Sequence, residues 1–400
     1  MKPKTRLTAL TPVSVLLTSA LLVSGCGGAT ESSAESSTFR ILLVAAQTGP
    51  LAALGEPFLT GLQVAADELN AKGGVLGREV RIKVLDPQSD PTKAVSLLQQ
   101  ELAGGDKPDL VYDGTVSAET LAMLPVLSSR KILSIGTTAN AAINDPEKYP
   151  YAFHAAPHQD TDATPSTVRA LRELGCRDVG LLVAGDASGE PVRKAYPPAF
   201  KSAGIPLKVE EYAPADIDMA APLQRLKSAG VDCVTAYAAG PTAPYVLKSR
   251  AKIGWTVPLL LNESMTADIH GLVPAGALKG VSIHTFGINA YRAPADRTPA
   301  YKALLDGVKA KGGFSTIMIN YAWPHDMLQL VAMGAEQARS TDADAVKKAL
   351  ENLRQPAPEQ RPYSSYTTMG WSATDHFIKA GADDFAVIDP VPALVDGTWK

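Results

Sequence analysis

Asp109-Leu-Val-Tyr-Asp-Gly-Thr-Val-Ser-Ala-Glu-Thr-Leu-Ala-Met-Leu124 decides the fold. Asp109 to Asp113 reads as a short buried strand and Gly114 as a turn. A helix opens near Ser117, because Leu121, Leu124 and Leu127 recur at every third position. Pro125 weakens that helix beyond its second turn. A strand that feeds a helix through a glycine turn leaves backbone N–H groups free at the helix N-terminus, and such an end is ready to hold an anion. Ser117 stands there with its hydroxyl. Two readings stay open at this point: Ser117 caps the helix, as serine commonly does, or it is half of a ligand site faced by other strand ends.

Moving outward, the same unit repeats. Arg40 to Ala46 is a continuous apolar run after its first residue, as expected of a parallel strand buried on both faces. Phe58 to Lys72 reads as an amphipathic helix stopped by Gly73-Gly74. Arg78 to Asp86 is a strand, and Pro91 opens a helix that runs to about Ala103. Ile132 to Ile135 is a fourth strand, followed by Gly136-Thr-Thr-Ala-Asn140. This alternation predicts a parallel sheet with helices on both faces. A second round follows, with strands at Val179–Ala184, Leu207–Tyr212, Val234–Ala238 and Leu259–Leu261. After Val281 to Thr285 the pattern becomes helical, over Pro299–Lys311, Ser315–Ala338 and Asp342–Leu353, with Pro324 expected to kink the second of these. The tail holds short strand-like pieces at Phe385–Ile388 and Ala393–Val395.

The bulk numbers agree with two such units. The 400 residues are 46% hydrophobic and 20% charged, a globular composition. Single cores stop growing near ~250–300 residues, so two lobes are expected. The fold class is α/β: two doubly wound parallel-sheet lobes joined by a multi-segment hinge. Open sheets of this kind bind ligands outside the C-terminal ends of their strands, and two facing sheets make a cleft. A formal net charge of -3 gives no electrostatic case for nucleic acid.

The beginning of the chain reads as an export signal. Met1 to Arg6 is basic, Leu7 to Val23 is mostly apolar, and small residues follow. Residues 1–25 are expected to be a signal peptide and residues 26–38 a flexible Gly/Ser-rich tether. Leu22-Val-Ser-Gly-Cys26 resembles a bacterial lipobox, which implies that Cys26 becomes the lipidated N-terminus of an exported protein held at the outer face of the cell membrane or on its periplasmic side. More than one acyl chain gives stable anchoring. Cys176 and Cys233 each precede an apolar strand. An exported setting permits a disulfide between them, and two separate buried thiols are the equal alternative.

Thr48-Gly-Pro-Leu-Ala-Ala-Leu-Gly55, Ala66-Asp-Glu-Leu-Asn-Ala-Lys-Gly-Gly-Val-Leu-Gly77 and Asp86-x-x-Ser-Asp-Pro-x-Lys-Ala-Val95 resemble the branched-chain amino-acid-type solute-binding proteins of ABC importers, the type I periplasmic binding proteins. The resemblance runs through essentially the whole mature chain and implies two lobes, three crossing segments and closure around a small solute. Residues 39–156 with 287–368 would form the first lobe, and 157–286 with 369–400 the second. It further implies that Ser117 and Thr138 hold an α-carboxylate, with Ala118 and Thr137 beside them in the ligand-binding set and backbone amides contributing. Glu263 in Leu261-Asn-Glu-Ser264 would take the α-ammonium. Leu54, Ser188 and Gly240 stand where amino-acid-binding members carry aromatic walls, so the ligand's side chain is left open. The tail Gly370-Trp-Ser-Ala-Thr-Asp-His376 is similar to members that take up aromatic or other small carboxylates. Such a ligand would use Ser117 and Thr138 without needing Glu263.

The partners implied are a small solute, an ABC permease and its ATPase, with the protein itself a monomer. A receptor that signals through a membrane sensor would bind the same solute. An enzyme on this fold is not expected: there is no Gly-x-Gly-x-x-Gly after a strand, no Gly-x-Ser-x-Gly elbow, no Walker loop and no His-Glu-x-x-His. His154, His158, Asp160 and Asp162 cluster in sequence, but their spacing matches no familiar metal site, and hinge or surface polarity accounts for them. No cofactor and no metal are expected.

Overall fold

A computed structural model describes residues 38–105, 107–238, 242–265 and 269–400. The expected leader, the expected tether with Cys26, and Gly240 lie outside those residues. Among the described residues no helix is long and apolar enough to cross a membrane.

The first sheet is built from β1 (Thr38–Val44), β2 (Glu79–Leu85), β3 (Leu110–Asp113), β4 (Leu133–Gly136) and β5 (Ala152–Pro157). The connecting helices are α1 (Ala52–Ala71), α2 (Pro91–Ala103) and α3 (Ser117–Ser129). All pairings among these strands are parallel. Their continuous apolar runs resolve into two faces by the strand period of two. Ile41 and Leu43 of β1 pack with Leu62 of α1, while Leu42 and Val44 pack with Leu98 of α2 and Leu124 of α3. A strand sandwiched in this way has no polar face to show.

The second sheet repeats the plan with α4 (Thr164–Glu173), β6 (Val179–Ala184), α5 (Glu190–Ser202), β7 (Leu207–Tyr212), α6 (Ala220–Ser228), β8 (Cys233–Tyr237), α7 (Ala243–Lys252), β9 (Leu259–Asn262) and β10 (Val281–Phe286). β6 pairs in parallel with both β7 and β8. That register sets Val179 against Cys233, and it brings Cys176 and Cys233 into a disulfide with Cα atoms 5.6 Å apart. The disulfide alternative is therefore the one realised.

After β10 the chain returns to the first lobe as α8 (Pro299–Ala310), α9 (Ile319–Ala338) and α10 (Ala343–Leu350). α9 packs along α1. Gly61 permits this close approach, since a Cβ there would stand 2.2 Å from the Tyr321 carbonyl oxygen. Beside this seam the buried His325 lies between Asp326 at 2.7 Å and Glu68 at 3.3 Å. Burial pulls its pKa down, but the two carboxylates outweigh burial and hold it up at about 9. Asp326 also accepts the backbone N–H groups of Ser364 and Ser365 at 2.8 and 2.7 Å, which fixes the strap leading to the tail.

Two expectations change. The first helix begins at Ala52, six residues earlier than its periodicity suggested, with Pro57 inside it. Leu51 O accepts from Leu54 N and Gly55 N, so the turn forms before the proline and tolerates it near the start. The tail, read from sequence as wholly second-lobe, is split. β11 (Phe377–Ile378) pairs in parallel with β5 at the edge of the first sheet. His154 N donates to His376 O at 2.9 Å, filling the edge β5 would otherwise leave open. β12 (Phe385–Ile388) then pairs antiparallel with β10 in the second sheet. A last hairpin, β13 (Leu394–Val395) with β14 (Thr398–Trp399), closes the chain. The chain thus passes between sheets after β5, after β10 and between β11 and β12.

Candidate functional site

The C-terminal ends of the two sheets share one cavity of about 120 Å³ that opens to solvent at its mouth, room for a small solute.

The first-lobe wall comes from the turn after β3 and the loop after β4. Gly114 holds φ at +118°, a conformation L side chains rarely adopt, and a Cβ there would stand 2.9 Å from the Glu119 side chain. The buried Glu119 carboxylate accepts the Thr115 N–H at 2.6 Å, and Thr115 Oγ1 accepts Ala46 N at 2.7 Å. These bonds pin the turn from both sides. Ser117 is the first residue of α3, and Val116 holds the cap position without a side-chain bond. The capping reading of Ser117 is therefore not realised, and its side chain lines the cavity instead. Thr137 shares a 3.1 Å hydrogen bond with Tyr112 Oη. Thr138 Oγ1 donates to Thr120 Oγ1 at 3.4 Å, and Thr120 Oγ1 donates onward to Asp113 O at 2.7 Å. No Lys or Arg is among the lining residues. An anion on this wall would be held by hydroxyls and the backbone N–H groups opening α3.

The second-lobe wall carries an acid. Glu263 follows β9 directly and is 7% exposed. Asn262 Nδ2 donates to its Oε2 at 2.8 Å and Ser264 Oγ to its Oε1 at 3.3 Å. Burial nevertheless dominates and pushes its pKa up to about 7. Tyr196 of α5 and Tyr237 at the end of β8 stand nearby; burial raises both phenols, Tyr196 to about 12. His284 of β10 shares a 2.9 Å hydrogen bond with Ser166 Oγ, and burial drives its pKa down to about 4, so it is neutral at physiological pH.

Leu54, Ser117, Thr137, Thr138, Ser188 and Glu263 all line this one cavity. Ala118 does not; its side chain is exposed on the first turn of α3. Sequence reading missed most of the apolar lining. Tyr196, Tyr237, Phe286, Trp323 and Phe385 supply rings, with Phe58 from α1. Phe286 packs against Trp323 at 5.0 Å and against Phe385 at 5.4 Å between ring centroids. Trp323 Nε1 donates to Tyr366 Oη at 3.1 Å, and Tyr366 Oη donates to Ala155 O at 2.8 Å, so this aromatic group is tied to the end of β5. Aromatic walls are thus present, from positions other than the three considered. Tyr237 and Phe286 are the last residues of their strands, and the strand-end rule applied to the second sheet would have found both. His154, His158 and Asp162 form no metal site: among the described residues no group of three or more His, Cys, Asp or Glu is placed to hold an ion.

A family profile described as periplasmic binding protein matches residues 38–376. The Leu/Ile/Val-binding protein BraC3 of Rhizobium johnstonii is 25% identical over 312 residues, covering 78% of this chain and 82% of its own. A periplasmic binding protein type 1 from Bordetella pertussis Tohama I superposes with a TM-score of 0.75 at 21% identity, covering 88% of this chain and 96% of its own. A branched-chain amino acid transporter substrate-binding protein, LivJ of Streptococcus pneumoniae, in complex with isoleucine, superposes with a TM-score of 0.73 at 18% identity, over 91% and 98% of the two chains.

Proposed function

Because the chain belongs to the family of periplasmic binding proteins, we propose that it captures a small amino acid with an apolar side chain between its lobes and delivers it to an ABC importer. The family binds rather than catalyses, and this chain is not an enzyme. One observation carries the ligand class: a single cavity has Ser117, Thr137 and Thr138 on one wall and the buried Glu263 on the other. A zwitterion has the charges this arrangement asks for. Its carboxylate would meet the hydroxyls and the N-terminus of α3, each charge-assisted bond contributing about 1.5–3 kcal/mol. Its ammonium would meet Glu263, which the closed cleft keeps from water. The rings around Phe286 would enclose the side chain. The ligands named for its relatives, leucine, isoleucine and valine, agree with this class.

The remaining parts of the reading rest on sequence. Cys26 is the lipid-bearing residue, residues 27–38 are the tether, and a monomer held at the outer face of the membrane passes its solute to a permease and its ATPase. One specific feature favours a second ligand class, small aromatic carboxylates. The cavity is ringed by aromatic side chains, and a Glu263 carboxyl that takes up a proton near pH 7 can donate to a ligand hydroxyl. A thermal-shift and calorimetric screen decides between the two. L-leucine, L-isoleucine and L-phenylalanine should raise the melting temperature in proportion to RT ln(1 + [L]/Kd). A shift with 4-hydroxybenzoate and none with any amino acid would replace the first reading by the second.

A further inference from the structure

Asn140 ends the loop that carries Thr137 and Thr138, and it is 4% exposed. Its Oδ1 accepts Ala142 N at 3.0 Å, which orients the amide. Its Nδ2 then donates twice, to Ala187 O at 3.1 Å and to Glu190 Oε2 at 3.1 Å. Both acceptors belong to the opposite lobe: Ala187 lies in the loop after β6 and Glu190 opens α5. Glu190 is also gripped by Lys194 Nζ at 2.6 Å, one turn along the same helix. The Lys194 and Asn140 hydrogen bonds hold its carboxyl below the usual range, so it is ionised at neutral pH.

The bonds directly bridge the ligand-lining loops of the two lobes, since Thr138 and Ser188 lie two residues or fewer from Asn140 and Ala187. Opening the cleft separates Asn140 from both acceptors. Asn140 itself lines the cavity, whereas Glu190 does not. That asymmetry separates closure from ligand contact.

We propose that Asn140 and Glu190 form a latch across the cleft, positioning residues that set how long the closed lobes retain a solute. The latch rests on the reading of the cavity as a solute site. Its Glu190 half adds no contact to the solute. It shifts the open–closed equilibrium, and a solute that touches both walls only when they are closed inherits that shift in its residence time.

Glu190→Ala is the cleanest test, with spin labels on exposed Ser129 of α3 and Lys201 of α5 reporting lobe separation. In the ligand-free protein the label distance should lengthen and broaden relative to wild type. Dissociation of L-leucine should quicken about tenfold, the equivalent of one charge-assisted hydrogen bond at ~1.4 kcal/mol per decade. Glu190→Gln keeps an oxygen acceptor for Asn140 and should recover most of the wild-type behaviour. Lys194→Ala breaks the helical pair without touching the bridge and should match wild type. A ligand-free distance distribution unchanged by Glu190→Ala would overturn the latch. If L-leucine fails to bind even the wild type, the amino-acid reading falls, while the label distances still decide the latch.

Discussion

The two walls of the cleft are made differently. On the first lobe the polar groups come from two short stretches, Gly114 to Ser117 and Thr137 to Asn140, each directly after a strand of the same sheet. Their positions follow from local structure: a strand end, a turn held at positive φ, and a helix N-terminus. The opposing wall draws Tyr196, Tyr237, Glu263, Phe286 and Phe385 from the second lobe and Trp323 from α9 of the first, six separate elements or their edges. The first wall offers hydrogen-bond donors to an anion, whose geometry any α-amino acid shares. The second carries a buried acid among rings, which differ in what they accept. Under the proposed function, one wall would fix the class of ligand and the other would choose within it.

The largest effect should come from Glu263. Removing one partner of a buried charge pair costs about 3–5 kcal/mol, so Glu263→Ala should weaken L-leucine by two to three orders of magnitude in calorimetry. Wild-type affinity in a folded Glu263→Ala protein would remove the acid from the ammonium site and break the division of labour between the walls.

The same residue makes an opposite prediction for the ligand-free protein. Its carboxyl is raised from 4.5 to about 7 by burial, so the folded state binds a proton more tightly than the unfolded chain. The stabilising contribution is complete below pH 4.5 and is lost as pH rises through about 7. Glu263→Gln keeps the shape and discards the titration. It should stabilise the ligand-free protein at pH 8, on the order of 3 kcal/mol, and flatten the stability slope between pH 4.5 and 7 in denaturant titrations. An unchanged slope would mean that Glu263 sees more water than its burial indicates.

How legible each wall was in the sequence follows from the same contrast. The first sheet, its helices and the place of Ser117 at a helix N-terminus came from apolar runs and glycine turns, because each is encoded locally, whereas Thr138 was singled out through the resemblance. Glu263 was found through resemblance, by counting from Gly254, and not from any pattern of its own. Most of the rings were not found, because residues as distant as Tyr196 and Phe385 come to line one cavity only after the chain has left the second lobe and returned. The tail was misassigned for a related reason. Phe377–Ile378 is two residues long, and nothing in so short a piece says which sheet edge it will fill.

On the first wall, Thr138→Ala removes one hydroxyl donor to a carboxylate. The expected loss is about 1.5–3 kcal/mol, or roughly ten- to a hundredfold in L-leucine affinity. Isobutylamine, which has no carboxylate, should bind the variant and the wild type equally. An equal loss for both probes would show that Thr138 shapes the loop and does not meet the anion.

The smallest effect asks whether the second wall recognises rings or merely covers area. Trp323 stacks edge-on against Phe286 at 5.0 Å and lines the cavity. Trp323→Leu keeps an apolar surface there but removes its quadrupole and its bond to Tyr366. Burial alone treats leucine and phenylalanine ligands alike per unit area, whereas a ring–ring contact adds about 0.5–1.5 kcal/mol beyond area. If the wall selects, Trp323→Leu should weaken L-phenylalanine more than L-leucine, by roughly two- to tenfold in the ratio of their dissociation constants. Equal losses would leave the rings as packing, and the choice of solute would then rest with the volume they enclose and with the polar groups facing them.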